Sequence, residues 1–320
     1  MNQIDAQHLL SRARAGEVRA LARAISIVEN REEGRAQLLW AAQQAYGTAF
    51  RIGLTGAPGS GKSSLSDALI EVLRNEGRRV AVLAVDPSSP FTGGALLGDR
   101  VRMSRHAEDD GVFIRSMSSR GALGGLSRAA WETLLLFDAA SFDVVLVETV
   151  GVGQSELEVR DVCDLPSCQP RSGDIVQMMK AGIMEIADLF VINKADLPGA
   201  DRMMAAVREL IQISSTNHGV RPNLLKSIAV QGEGISILWK TLWERYQMMQ
   251  TDQTLQQKRK QQWAAHVRKA AEEELLRRFQ EFLERNKQLL RWTEARDEER
   301  SSFDTTIQTL VDAFIHSSTP

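Results

Sequence analysis

A glycine-rich run, G-x-x-x-x-G-K-S, occupies residues 56–63, directly after a short apolar segment and before a helix-forming one. Such a loop lets successive backbone N–H groups face phosphate oxygens at a helix N-terminus. Lys62 then reaches the β- and γ-phosphates, and the Ser63 hydroxyl binds Mg²⁺. The sequence therefore predicts a nucleoside triphosphate site formed by Gly56, Ala57, Pro58, Gly59, Ser60, Gly61, Lys62, Ser63 and Ser64.

A second motif, N-K-A-D at residues 193–196, follows an apolar segment. The Asp196 carboxylate can accept hydrogen bonds from N1–H and the exocyclic amine of guanine, an edge where adenine has no matching donors. Acceptors left unpaired would cost free energy, so adenine is disfavoured. The motif predicts a guanine site that includes Asn193, Lys194 and Asp196.

Two acidic residues, Asp86 and Glu148, end apolar runs. The carboxyl ends of parallel strands share one edge of a sheet, and Mg²⁺ takes one or two carboxylates, so both are metal-ligand candidates. Glu148 begins E-T-V-G, where most GTPases have D-x-x-G, and Gly151 is the switch glycine. The next residue is Val152, whereas small GTPases place a water-orienting glutamine there. We therefore expect slow intrinsic hydrolysis that another group or a partner protein completes.

The elements that position these residues are short apolar runs at 52–54, 80–85, 144–147 and 189–192, separated by helix-length segments. This alternation is typical of an α/β fold with a parallel sheet. We expect an N-terminal helical region at 1–48, a P-loop domain at 49–250 and a C-terminal helical arm at 251–320. In the arm, Lys258, Arg259 and Lys260 are expected on a solvated helix face, and the Trp and Phe residues at helical spacing are expected to pack.

Composition excludes several classes of protein. The 320 residues carry 39 Lys plus Arg against 41 Asp plus Glu, so no bulk positive field attracts nucleic acid or anionic lipid. No apolar stretch approaches the roughly 18 residues of a membrane span. With only Cys163 and Cys168, and without a secretory signal pattern, we expect free thiols and a cytoplasmic location.

Three longer motifs surround the phosphate loop: V-D-P-S-S-P-F-T-G-G-A-L-L-G-D-R-V-R-M at 85–103, S-R-G-A-L-G-G-L-S at 119–127 and E-T-V-G-V-G-Q-S-E at 148–156. They resemble the signatures of cobalamin-associated GTPases that chaperone methylmalonyl-CoA mutase, and the resemblance spans about residues 9–243. It implies a P-loop GTPase of the dimer-forming class related to signal-recognition and nickel-insertion GTPases, with a helical C-terminal dimerisation arm.

The resemblance also implies a task. The protein would bind a cobalamin-dependent acyl-CoA mutase, use GTP to gate transfer of adenosylcobalamin, and protect or reactivate the holoenzyme. Asp99 would lie in a first switch and join the metal ligands, residues 148–156 would form a second switch and residues 173–180 a third. The candidate catalytic residues are then Lys62, Asp99 and Gly151.

Two other functions stay open at this point. One is a nucleotide-dependent kinase of a metabolite or an amino-acid transport protein. The other is a binding module that has lost hydrolysis. The motifs all serve nucleotide, Mg²⁺ and switches, whereas a kinase also needs an acceptor pocket and a base for its acceptor.

The sequence departs from the family pattern at two places. Asp164 is followed by only L-P-S-C before Q-P-R-S-G-D, about three residues fewer than usual, and Pro166 cannot donate to a central ladder. Either residues 159–165 are pulled into this strand, which should adjoin the phosphate-loop strand, or the strand is damaged, or the sequence contains an error. The second place is Ile228, Ala229 and Val230, where the base loop normally reads Ser-Ala: the backbone contact from Ala229 survives and a hydroxyl is lost.

Overall fold

The computed structural model describes residues 5–47, 49–86, 104–106, 108–118, 128–149, 159–170, 186–213, 221–285 and 302–317. The chain forms two compact units, Met1–Gln262 and Trp263–Pro320. The three-part division expected from the sequence stays a prediction. No helix in the described ranges is long and apolar enough to cross a membrane.

The first unit contains a parallel sheet of seven strands in the order β3-β2-β4-β1-β5-β6-β7. Their bounds are β1 Phe50–Gly56, β2 Val80–Asp86, β3 Val112–Ser118, β4 Val144–Thr149, β5 Leu165–Gln169, β6 Leu189–Ile192 and β7 Asn223–Lys226. The predicted α/β fold and the four predicted strands are confirmed. Strand β1 lies at the centre, between β4 and β5, so the phosphate loop leaves the middle of the sheet.

The first unit also contains helices, and the second unit is helical. They are α1 Ala6–Arg14, α2 Val18–Glu29, α3 Arg35–Ala42, α4 Lys62–Asn75, α5 Arg128–Ala139, α6 Ala200–Ile213, α7 Ile235–Thr251, α8 Thr254–Arg285 and α9 Phe303–Ser317. Helix α4 places Leu65, Leu69 and Leu73 at four-residue spacing, and all three are buried in one core with β1 and α7. This packing fixes the helix that begins at the phosphate loop.

Strand β5 forms from residues 165–169 themselves, without recruiting 159–164 into the strand. It pairs with β1 from Ile52↔Leu165 to Gly56↔Gln169. The carbonyl of Pro166 accepts the N–H of Asp188 at 2.9 Å. The N–H and C=O groups of one strand residue point to the same side of the strand. The N–H that Pro166 lacks would therefore point toward β6, at the end of the β5–β6 ladder. The ladder with β1 is therefore complete.

The expectation of a solvated face at residues 258–260 is wrong. The Arg259 guanidinium is buried and donates to both Asp164 carboxylate oxygens at 2.8 and 2.6 Å. Lys258 Nζ donates to the Asp164 carbonyl at 2.7 Å, and only Lys260 is exposed. Asp164 is fully buried directly before β5, so its carboxylate requires an opposite charge, which α8 supplies.

In the second unit, three aromatic side chains pack together. The ring of Phe314 lies 5.2 Å from that of Phe279 and 5.6 Å from that of Phe282, measured between centroids. This joins α8 to α9 and agrees with the packing role expected for these aromatic residues.

Candidate nucleotide site

Two glycines of the phosphate loop are required by its shape. Gly56 ends β1 with φ +139°, and a Cβ there would overlap the carbonyl oxygen of Gln169. Gly61 precedes α4 with φ +94°, and a Cβ there would overlap the Asn193 amide nitrogen. Both conformations favour glycine, and both positions bring another backbone or side chain close to the loop.

The Lys62 side chain lies along this loop. It is buried, and its Nζ donates to the carbonyl oxygens of Gly56 at 2.7 Å and Ala57 at 3.0 Å. Ser60 is also buried, whereas Ser64 is exposed on the first turn of α4. An ammonium held by loop carbonyls can exchange these acceptors for phosphate oxygens without leaving the loop.

A hydroxyl and a carboxylate meet at the start of α4. Glu148, near the end of β4, is 3% exposed, and its Oε1 accepts from Ser63 Oγ at 2.6 Å. Its Oε2 accepts from Ser66 Oγ at 3.1 Å. Oxygen donors of this kind suit Mg²⁺, which keeps waters and uses few protein ligands. The donor set present therefore fits this ion.

Asp86 ends β2, which pairs with β4 up to Val85↔Thr149, so the two predicted acids end neighbouring strands as expected. The side chain of Asp86 lies outside the described part of the structure. The same holds for Asp99, Gly151 and Val152, for the first and third proposed switches, and for residues 150–156 of the second. Their assignments stay predictions.

The N-K-A-D segment lies against the phosphate loop. Asn193 Nδ2 donates to the Gly61 carbonyl at 3.2 Å, and Lys194 Nζ donates to the Gly59 carbonyl at 2.9 Å. Lys194 has φ +58°, an uncommon conformation for a residue other than glycine. Asp196 follows on the exposed side of this turn. The two predicted motifs therefore form one continuous site.

Ser227 is a site residue that the motifs did not identify. It is 2% exposed, and its Oγ donates to Asn193 Oδ1 at 3.2 Å. The sequence predicts a lost hydroxyl at Ile228, whereas the structure has one a residue earlier. The Ala229 N–H, expected to contact the base, donates to the same Asn193 oxygen at 3.1 Å, and Val230 is exposed.

The helix pattern could have identified Ser66, because residues three apart lie on one helix face and Ser63 was already a candidate. A further buried contact, from Thr149 Oγ1 to Thr55 Oγ1 at 3.2 Å, joins β4 to β1. Thr149 belongs to the E-T-V-G motif, but Thr55 belongs to none, so this contact could be found only once the strand register is known.

Comparisons with known proteins identify the family of this chain. A family model described as Methylmalonyl Co-A mutase-associated GTPase MeaB matches residues 21–284. GTPase ArgK of Escherichia coli is 41% identical over 289 residues, which cover 86% of each chain. The mitochondrial methylmalonic aciduria type A homolog of Mus musculus is 38% identical over 236 residues, 72% of this chain and 57% of that protein.

A solved structure, the crystal structure of an LAO/AO transport system kinase, is similar over the whole length. Its TM-score is 0.74 and its sequence identity 32%, and the match covers 98% of this chain and 99% of that chain. The architecture described above is therefore shared by a relative of nearly equal extent.

Proposed function

Because this chain belongs to the family of methylmalonyl-CoA mutase-associated GTPases MeaB and is a P-loop GTPase, we propose that it hydrolyses GTP to chaperone a cobalamin-dependent acyl-CoA mutase. In this role it gates delivery of adenosylcobalamin to the mutase and protects or reactivates the holoenzyme. The mutase named in the family description supports methylmalonyl-CoA mutase as the client.

The observation that carries the proposal is the arrangement of Lys62, Ser63 and Glu148 around the start of α4. Lys62 would neutralise phosphate charge, while Ser63 and Glu148 would hold Mg²⁺. The other proposed metal ligands are Asp86 and Asp99. The proposed catalytic residues are Lys62, Asp99 and Gly151. Bound Mg²⁺ would supply positive charge to the phosphates as the β–γ bond breaks.

The guanine preference is proposed on two supports. Asp196 offers two acceptors to the guanine edge, and the contacts of Asn193 and Lys194 place its turn beside the phosphate loop. The Ser227 hydroxyl helps to hold Asn193 in that position. GDP and GTP would therefore bind in the same site, between the phosphate loop and the N-K-A-D turn.

A homodimer is proposed on the apolar side chains that α9 exposes. They recur every fourth residue and so share one face: Phe303, Ile307, Val311 and Ile315. A face of this kind favours burial against another chain. We therefore retain the helical arm as the proposed dimerisation element.

The kinase alternative is favoured by one observation, the similarity to the solved LAO/AO transport system kinase.

Phosphate release distinguishes the chaperone and kinase functions. GTP turnover is measured with the protein alone, with methylmalonyl-CoA mutase, and with an amino-acid transport protein as acceptor. We expect the mutase to raise phosphate release well above the basal rate, since Val152 cannot orient water. Transfer of the γ-phosphate to the acceptor would favour the kinase, and no response to the mutase would contradict the chaperone proposal.

Two variants control this experiment. Lys62→Ala should abolish most turnover under every condition, because it removes a positive charge at the phosphates. Asp196→Asn should shift the preference from GTP toward xanthosine triphosphate, because an amide donates where xanthine has an oxygen. Equal binding of ATP and GTP by the parent protein would contradict the base assignment.

A further inference from the structure

Ser66 stands out among the polar residues of α4 because it is fully buried and yet belongs to none of the nucleotide motifs. Its Oγ donates to Glu148 Oε2 at 3.1 Å, while Ser63 Oγ donates to Glu148 Oε1 at 2.6 Å. Two hydroxyls one helical turn apart thus hold the two oxygens of one carboxylate.

This arrangement restricts the Glu148 side chain. A glutamate has three rotatable side-chain bonds, and one hydrogen bond leaves the carboxylate free to turn about the atom it holds. A second hydrogen bond from the same helix face fixes both its position and its plane. Ser63 and Ser66 lie on the same helix, which begins at the phosphate loop, so they hold the carboxylate in a fixed position relative to that loop.

The length of the residue at position 148 gives Ser66 its significance. Most GTPases have aspartate at this position of the D-x-x-G motif, and glutamate carries one more methylene. The longer side chain reaches farther toward α4 and has more rotamers to lose on binding a metal. A second donor, Ser66, restricts these rotamers before the metal binds and so offsets that loss.

We propose that Ser66 is a positioning residue that holds Glu148 in the orientation needed to support Mg²⁺ at the nucleotide. With Mg²⁺ bound, Ser63 would hold the ion, and Ser66 would still donate to Oε2 and so keep Oε1 available to support the ion. The inference rests on the proposed Mg²⁺–nucleotide site, and its substrate is the Mg²⁺ complex of a guanine nucleotide.

The test measures binding and does not depend on turnover. The affinity of a fluorescent GDP is determined with saturating Mg²⁺ and with Mg²⁺ removed by chelation. In the parent protein Mg²⁺ should tighten GDP binding. In Ser66→Ala this gain should fall by about 10-fold or more, the size typical of groups that orient metal ligands, while the Mg²⁺-free affinity stays the same.

A control is Ser26→Ala on α2, which removes another helix hydroxyl; it is only partly buried and donates to the Ala22 carbonyl. It should leave both affinities unchanged. Thermal unfolding without nucleotide shows whether either variant is damaged. An equal loss of affinity with and without Mg²⁺ in Ser66→Ala would assign Ser66 a merely structural role and overturn the inference.

A double-mutant cycle with Glu148→Asp decides whether Ser66 acts through Glu148. An aspartate is too short to keep both contacts, so Ser66→Ala should have no further effect on Mg²⁺-dependent binding in that background. Additive effects would overturn the inference. Absence of any Mg²⁺ effect in the parent protein would instead contradict the proposed metal site, so the two failures are distinguishable.

Discussion

Strands β4 and β5 flank β1 on its two sides, and they differ in how their polar residues are satisfied. Both strands are buried along their whole length. In β4 the Glu148 carboxylate accepts hydrogen bonds from two serines of α4. In β5 neither Ser167 Oγ nor the two polar atoms of the Gln169 side chain have a hydrogen-bond partner among the residues that the structure describes.

The difference shows that burial alone does not decide whether a polar residue serves a site or weakens a strand. Alternate residues of a strand share a face, so Ser167 and Gln169 share the face of Leu165, which lies in an apolar core with Leu54 and Leu65. A buried polar atom without a partner costs about 1–3 kcal/mol. The carboxylate of β4 thus has both oxygens bonded to α4, whereas the polar side chains of β5 have no such partners among the described residues, and we expect this to lower stability.

The largest effect is expected where β5 begins, because the Asp164–Arg259 pair anchors it. Arg259→Leu leaves the Asp164 carboxylate buried without its main counter-charge. Breaking a buried pair in this way should lower the free energy of unfolding by about 3–5 kcal/mol. Urea denaturation followed by circular dichroism measures the change.

The control for this variant is Lys260→Leu, which changes the exposed neighbour on the same helix and should be nearly neutral. Arg259→Lys keeps the charge but loses the two-point contact with the carboxylate, so its stability should lie between those of the parent and Arg259→Leu. If Arg259→Leu and Lys260→Leu unfold at the same urea concentration, β5 does not depend on this anchor.

In β4, on the other side of β1, we expect a substitution of Glu148 to lower activity without lowering stability. Glu148→Gln keeps the shape of the side chain but removes its charge, so Mg²⁺-dependent GTP hydrolysis should fall by about 10–100-fold. The unfolding midpoint without nucleotide should be unchanged or higher, because a buried charge is removed. Hydrolysis at the parental rate would show that the β4 carboxylate is not part of the metal site.

The reverse response is expected in β5. Gln169→Leu and Ser167→Val each remove a buried polar group without a partner in the described chain, and each should raise the free energy of unfolding by about 1–3 kcal/mol. The mirror-image change in β4, Val147→Ser, should lower it, since it buries a hydroxyl in an apolar strand. If Ser167→Val and Val147→Ser change the free energy of unfolding in the same direction, the proposed difference between the two strands is wrong.

The two strands also mark how far the sequence predicts the structure. The β4 side follows from local patterns: an apolar run predicts the strand, an acid ends it, and a glycine loop with Lys62 and Ser63 faces it. The strand formed by residues 165–169 does not follow in this way, because its sequence L-P-S-C-Q has a proline and only weak strand character. Its position comes from β1 and β6, which pair with it on both sides.

Tertiary context also explains the residues that were missed. Arg259 looks like part of a charged surface run, and only the distant Asp164, 95 residues earlier, makes it a buried residue. Ser227 and Ser66 each act on another side chain, Asn193 and Glu148, so no contiguous motif contains them with their partner. Such contacts depend on strand order, which a single sequence does not encode locally.

The smallest effect concerns the two thiols on either side of Leu165. Cys163 and Cys168 are both fully buried, and burial, with the nearby Asp164 as a smaller cause, raises the pKa of the Cys163 thiol above its usual range. The thiolate is the reactive form, so both its scarcity and its inaccessibility slow reaction with an aromatic disulfide reagent. We expect the native protein to be almost unreactive at pH 8, and both thiols to react once denaturant is added.

This reactivity reports directly on how often β5 opens, because a buried thiol must be exposed before it reacts. Arg259→Leu should therefore speed labelling and Gln169→Leu should slow it, while Glu148→Gln, on the other side of β1, should change it little. Mass spectrometry of the labelled peptides assigns the reaction to Cys163 or Cys168. Rapid labelling of Cys168 in the folded parent protein would show that β5 opens readily. The lower stability that we expect for β5 would then be a local property of this strand rather than of the whole domain.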